Sequence, residues 1–362
     1  MRAVDPMLNI LAADLHVTVQ DVALLATAFT LPYAAMQLVF GPLGDAVGKV
    51  RLIRLNLLLL CIGLIASALA MDHSTLMAAR IFSGAFAGGI IPVALAAVGD
   101  RVPFADRPLA LSRLLLALVC GQLVGSTASG FIAEWVGWRE VFWTGAGVTA
   151  LAALAAFFGI QEGRTGEGLS VSAAVARYAI VLRNPLSIKV YTVVAIEGGL
   201  IFGVFPMVAP LMVAHSIGDA VEAGVVLAAF AVGGAFYAFA VQFLVRTLGL
   251  GRMAGVGAVL VGLLLAAAAV APTLLGVGLL FGVAGFTFYM IHNMLQILAT
   301  ELAPEARGSA LALFATAFFV GQAIGAVVLS SLEPWIGPEW VFILAGIGMV
   351  LLAYPASRLP PR

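Results

Sequence analysis

The chain has 362 residues, 63% hydrophobic and 10% charged, with a formal net charge of zero and a mean hydropathy of +1.12. Soluble domains are about a quarter charged, so there is too little polar surface here to coat a water-soluble body, and lipid must solvate most of the outside. The balanced charge offers no general attraction for nucleic acid. Cys61 and Cys120 lie inside apolar runs; they make neither a disulfide framework nor a metal-ligand spacing and read as packing residues.

A helix needs about 20 apolar residues to cross the hydrocarbon core. The sequence predicts eleven spans, near 22–42, 52–71, 75–98, 109–132, 141–160, 188–213, 221–245, 253–271, 273–299, 308–332 and 340–357. Lys49, Arg51, Arg54, Arg101, Arg107, Arg113, Arg164, Arg177, Arg183, Lys189, Arg246, Arg252, Arg307, Arg358 and Arg362 fall on one side of them. Only Arg2 and Arg139 fall on the other, and Arg80 lies within a span. The basic excess marks the first side, and with it the C-terminus, as cytoplasmic. Residue 1 then falls outside.

An internal repeat bears on that unusual start. Arg107, Ala110, Leu111, Ala117, Gly121, Gln122, Gly125, Trp135 and Gly137 recur 200 places on as Arg307, Ala310, Leu311, Ala317, Gly321, Gln322, Gly325, Trp335 and Gly337. Val4, Pro6, Met7, Leu11, Ala23 and Ala28 recur at the same offset. Residues 1–13 thus match the outer end of the span at 188–213, and the part near 188–200 has no counterpart. The expectation is an all-α membrane protein of two pseudo-symmetric bundles with the first of twelve helices truncated; the alternative is a true eleven-span protein. The bundles cover 1–160 and 188–362, the second with six helices. Between them, 161–187 starts with a flexible Glu162–Gly168 stretch. It continues with Val171, Val175, Tyr178 and Leu182 at helical spacing, either a helix on the membrane surface or a solvated linker.

The loop Gly41-Pro-Leu-Gly-Asp45-Ala-Val-Gly48-Lys49-Val-Arg51 resembles the GxLaDrxGrkxxl loop of the major facilitator superfamily, between that family's second and third helices. It departs at Ala46, where the family has Arg. Gly41 permits close helix approach, and Asp45 can cap a helix N-terminus across the two halves or pair with Arg. Such contacts exist in one conformation and bias alternating access; the plainer reading is a polar cytoplasmic turn. The second-half counterpart, 242–252, has Arg246 where Asp45 stands. Asp100, Arg101 and Arg113 lie near Asp45 in the family's layout and join it as candidates for one cytoplasmic gating network. Arg80-x3-Gly84 is similar to the family's RxxxG motif, in which the matching Arg is implicated in proton coupling. A charge within a span faces the interior and needs a partner, unless Arg80 snorkels to the nearby outer surface. Gly121-Gln-Leu-Val-Gly125-Ser126, with Gly130, resembles the family's antiporter motif, weakened by Ser126 where a proline is expected; tight helix packing explains the three glycines equally well.

Glu197 lies about nine residues into its span, ~13 Å deep. An ionisable group there is a functional candidate by default. The run Glu197-Gly-Gly-x3-Gly203-x2-Pro206 also resembles the seventh helix of arabinose-efflux-type permeases. His292 is a further titratable candidate, although a lone His is more often a hydrogen-bonded interior residue. Tyr33, Gln37, Gln122, Tyr237, Tyr289, Asn293 and Gln322 are candidates to line a cavity between the halves, or else form interhelical hydrogen bonds. Phe86, Phe202, Phe230, Phe236 and Phe288 are possible contacts of an apolar substrate, and Asp5 a possible member of an outer vestibule.

The resemblance implies a secondary transporter that exports a small organic solute, drug- or sugar-like, with protons entering; the proton-coupling candidates are Glu197, Arg80 and His292, with Asp5 a further carrier candidate. Uptake by symport is the alternative, and a non-transporting membrane sensor is a more remote one. No metal, cofactor or nucleic acid is expected, and the four histidines give no HExxH spacing from which to build an enzyme. The expected setting is a monomer in a bacterial inner (plasma) membrane.

Overall fold

The computed structural model describes residues 3–101, 127–159 and 171–359, with the isolated positions 117, 121, 124 and 125. The regular structure among them is helical. A 3-10 turn (Asp5–Met7) leads into α1 (Leu8–Leu15), followed by α2 (Val19–Val47), α3 (Lys49–Ala68), α4 (His73–Ala87), α5 (Ile90–Arg101) and α6 (Trp138–Gly159). Residues 127–135 are also helical. The connecting segment contains α7 (Val171–Arg183), so a helix stands where a solvated linker was the alternative. The second half holds α8 (Pro185–Phe202), a 3-10 turn (Phe205–Met207), α9 (Val208–Ala214), α10 (Ala220–Leu248), α11 (Leu250–Ala268), α12 (Leu274–Glu301) and α13 (Arg307–Ser357).

Among the described residues, nine helices are long and apolar enough to cross a membrane. One of them, α13, carries two of the expected spans, bent at Gly337, whose φ of 79° suits a residue without a Cβ. The expected span at 109–132 lies mostly outside the described residues. The span expected at 75–98 is broken, α4 ending at Ala87 and α5 starting at Ile90. Gly88 and Gly89 weaken the helix there, and Pro92 has no N–H to offer the Gly88 carbonyl.

The sequence repeat is also a backbone repeat. His16 (φ 53°) and Ser216 (φ 57°) take left-handed conformations 200 residues apart, as do Gly137 and Gly337. The 3-10 turns at Asp5–Met7 and Phe205–Met207 are a further pair at that offset.

Four helices begin at the arginine-poor end with side-chain caps: Thr18 with Asp21, Asp72 with Thr75, Asp219 with Glu222, and Thr273 on the Gly276 amide. Each satisfies amides that no preceding helical turn can reach. Large apolar side chains such as Phe158, Phe239, Leu275 and Leu351 are exposed around the bundle. That surface is suited to lipid, and the exposed symmetry mates Trp135 and Trp335 suit its polar boundary.

The halves meet along α2 and α13. Thr27 Oγ1 donates to the Ala323 carbonyl and Thr316 Oγ1 to the Ala34 carbonyl, each at 3.2 Å. At the arginine-poor end, Asn9 Nδ2 donates to Asp219 Oδ1 at 2.9 Å, and the Val221 amide to Glu134 Oε2 at 3.3 Å. The second contact places a carboxylate of the first half on the N-terminus of a helix of the second, where the macrodipole favours it.

Candidate functional site

Glycines place the central residue of the second half. A Cβ on Gly321 would strike the Ala195 carbonyl, and one on Gly325 the Gly199 carbonyl. A Cβ on Gly198 would lie 2.6 Å from the Phe318 carbonyl oxygen, and one on Gly203 2.7 Å from the Gly325 carbonyl carbon. The backbones of α8 and α13 therefore touch beside Glu197, whose side chain is 0% exposed. Its Oε2 lies 3.1 Å from His292 Nδ1 on α12. Glu197 Oε1 has no hydrogen-bond partner among the described residues.

The two nitrogen and oxygen atoms can share one proton in either sense. The imidazole N–H donates to the carboxylate, or the carboxyl O–H donates to the imidazole. His292 is the member with access, its side chain 13% exposed. Its ring stacks on Phe288 at 5.1 Å and lies 4.6 Å from Phe318 and 5.4 Å from Phe314. Phe202 extends this aromatic wall to Phe205, Phe230, Phe288 and Phe318. Packing of this kind holds the imidazole plane.

Arg80 sits in the first half, 1% exposed and hence buried rather than snorkelling. Its Nε donates to the Leu25 carbonyl at 3.4 Å, and its guanidinium lies 4.4 Å over the Phe29 ring. Asp5 is the carboxylate whose charge acts on it. The glycine of the RxxxG motif has a plain structural use: a Cβ on Gly84 would strike the Phe29 carbonyl. Asp5 itself is buried, 1% exposed.

Of the three expected proton-coupling residues, the structure joins Glu197 to His292 and keeps Arg80 in a separate cluster. Several expected cavity residues are packed instead. Tyr33 lies edge-on against Phe319 at 4.7 Å in the seam between halves. Tyr237 is buried, stacked on Tyr289, with its hydroxyl toward Met253 Sδ. Gln37 and Gln322 are buried. A tyrosine or amide at mid-depth looks the same in sequence whether it faces a cavity or a neighbouring helix; in this structure these four side chains are buried. Tyr289 and Asn293 retain partial exposure, and Gln122 lies outside the described residues. Phe86 packs against Phe40 and Phe82, while Phe236 is exposed on the outside of the bundle.

Among the described residues, Gly121 and Gly125, expected as packing glycines, meet nothing within 4 Å, whereas Gly130 lies against the Ala220 carbonyl. Gly321 and Gly325, their mates in the repeat, pack on Ala195 and Gly199. In the loop at 41–51, Gly48 ends α2 with φ 99° and its carbonyl accepts from Leu52 N at 3.0 Å. Lys49 opens α3 and Arg51 is exposed. The side chains of Asp45 and Asp100, and the whole of Arg113, lie outside the described residues, as does the side chain of Arg101; Gly41 falls within α2.

Sequence reading missed the contacts that tie helix ends together. Asp14 Oδ2 accepts from Trp138 Nε1 at 2.8 Å and Arg139 Nη1 at 3.0 Å. His215 faces Glu339 at 3.4 Å in the corresponding corner of the second half. The repeat is the signal that could have found the second pair, because Arg139 and Glu339 are 200 residues apart.

The family model of the Major Facilitator Superfamily matches residues 1–326 and, separately, 190–362. The chain is 24% identical over 367 aligned positions to the inner membrane transport protein YdhP of Escherichia coli, covering 98% of this chain and 91% of that one. It is 32% identical over 158 residues to a uridine/deoxyuridine transporter of Lactococcus lactis, covering 43% and 33% of the two chains. Its fold is similar to a crystal structure of a bacterial homolog of the human lysosomal transporter Spinster, in an inward-facing and unoccupied conformation. The TM-score is 0.79 at 16% identity, covering 99% of this chain and 94% of that one.

Proposed function

The chain belongs to the major facilitator superfamily and is a membrane transporter of that type; on that premise we propose that it exports a small organic solute, drug- or sugar-like, in exchange for protons. The observation that carries this reading is the Glu197–His292 contact, two titratable groups 3.1 Å apart inside the second bundle. A proton arriving from water meets His292 first, since Glu197 is sealed. Holding or losing that proton changes the charge beside the aromatic wall, and with it the affinity for a solute seated there. The change has to alter the balance between two conformations if it is to drive transport. The residues that must part on opening toward the arginine-poor side are Asn9, Asp219, Glu134 and Val221.

In this reading the arginine-rich end and the C-terminus face the cytoplasm, in a bacterial inner membrane, and the protein works as a monomer. Arg80, with Asp5, is a second coupling candidate in the first half. The loop at 41–51, with Asp100, Arg101 and Arg113, is the cytoplasmic gate. Uptake by symport remains a second reading, favoured by Ser126 where exporters of this type carry proline.

The test uses the full chain in liposomes with a proton gradient reported by an acridine dye, challenged with ethidium and with uridine. Solute-dependent proton movement should occur in the parent and disappear in Glu197→Gln, while solute counterflow without a gradient survives. Proton movement unchanged in Glu197→Gln removes the residue from the mechanism. Solute accumulation down the proton gradient selects symport.

A further inference from the structure

On the lipid-facing surface of the second half, α11 and α13 border an open trough of about 390 Å³. Gly255, Ala353 and Ser357 form its floor, and Val256, Val259, Leu260 and Tyr354 its walls. Small floor residues let the helices approach: a Cβ on Gly255 would stand 3.1 Å from Ser357 Cβ. Deeper in the bilayer the same seam closes, since a Cβ on Gly262 would strike the Gly346 carbonyl. The trough thus has an apolar length and a blind end.

Its other end is cationic. Arg252 lies one helical turn before Gly255 and Val256, on the same face of α11. Arg358 follows Ser357 directly, and its guanidinium is held 4.3 Å over the Tyr354 ring. The two helices run antiparallel, so both arginines stand at the arginine-rich mouth. Both are exposed, and neither has an acidic partner among the described residues. An apolar slot ending in two unpaired guanidiniums matches one kind of molecule already present in a bilayer. Basic clusters at helix ends attract anionic headgroups, and Arg forks pair with phosphate oxygens in two-point contacts.

We propose that this trough is a binding site for an anionic diacyl phospholipid, an acyl chain lying between Val256, Val259, Leu260 and Tyr354 and the phosphate between Arg252 and Arg358. The site faces lipid and is separate from Glu197, so it stands whether or not the transport reading holds.

The experiment is native mass spectrometry of the intact chain released from detergent, titrated with dioleoyl phosphatidylglycerol, dioleoyl phosphatidylcholine and inorganic phosphate. Phosphatidylglycerol should bind at one saturable site, with phosphatidylcholine and phosphate far weaker. Arg252→Gln with Arg358→Gln should weaken binding ~30-fold, as expected for two basic residues at a membrane surface. Val256→Trp, which fills the trough at an exposed position, should weaken it with both arginines intact. Arg177→Gln, an exposed arginine at the same end, should leave it unchanged. Equal binding of the two lipids, or phosphatidylglycerol binding that neither the double arginine variant nor Val256→Trp alters, overturns the proposal and reduces the trough to ordinary lipid contact. Binding of free phosphate as tight as that of the lipid overturns it in favour of an anion site without a chain.

Discussion

Gly325 and Gly125 are sequence mates 200 residues apart, and the structure gives them opposite packing. A Cβ on Gly325 would lie 2.6 Å from the Gly199 carbonyl carbon, with the Gly199 carbonyl oxygen closer still. Carbon atoms in contact sit about 3.5–4.0 Å apart, so α8 and α13 would have to separate by about 1 Å. The obstacle is backbone on a second helix, which has no rotamer with which to give way. Gly325→Ala should therefore destabilise the protein by ~1–3 kcal/mol, the range for overpacking a closed core. Gly125→Ala adds its methyl where no described residue lies within 4 Å and should be neutral or stabilising by up to ~1 kcal/mol through helix propensity. Thermal unfolding of both variants in the same detergent, followed by intrinsic fluorescence, gives the comparison. The crossing also positions Glu197, so Gly325→Ala should reduce transport beyond its effect on folded yield. Equal midpoints for the two variants would refute the close-contact reasoning.

Arg80→Ala removes a buried guanidinium whose charge acts on buried Asp5, and breaking such a pair on one side destabilises by ~3–5 kcal/mol. Adding Asp5→Asn should recover part of that loss in the same unfolding assay; an additive double variant would show that the two charges do not interact. Hydrogen bonds from Trp138 and then Arg139 hold the Asp14 carboxyl below its ordinary value of 3.8. Its contribution is therefore complete above that value and disappears as pH falls through the lowered folded value. Since the Asp14–Arg139 pair is 48% and 40% exposed, screening limits it to ~0.2–1 kcal/mol. Asp14→Asn should lower the midpoint at pH 7 and match the parent once pH has fallen through the lowered folded value, and a gap that persists in stronger acid would contradict this assignment. Cysteines at Asn9 and Asp219, joined by a short thiol-specific crosslinker in a variant lacking Cys61 and Cys120, should arrest transport until the link is cleaved. Undiminished transport by the linked protein would mean that this end does not open.

The sequence by itself determined the architecture because its signals were covariant with lipid and with duplication. Apolar runs of helical length need no tertiary information to be read as spans, since every backbone group must be satisfied within the helix. The repeat of Arg107–Gly137 at Arg307–Gly337 foretold two like halves, and both left-handed turns and 3-10 turns recur at its offset. Glu197, Arg80 and His292 were legible as candidates because charge at membrane depth is rare.

What only tertiary structure decided was partnership. Glu197 and His292 are 95 residues apart, and nothing local to either distinguishes a pair from two separate buried groups. Arg80 could snorkel or turn inward by spacing alone; the neighbours Phe29, Phe142 and Asp5 came from three other parts of the chain. Tyr33 and Tyr237 carried the marks of cavity residues yet went into helix contacts. Gly125 and Gly325, identical in the repeat, differ because the face opposite a glycine is supplied by another helix. Residue type and spacing fix which surface a helix offers, and the arrangement of the other helices fixes what it meets.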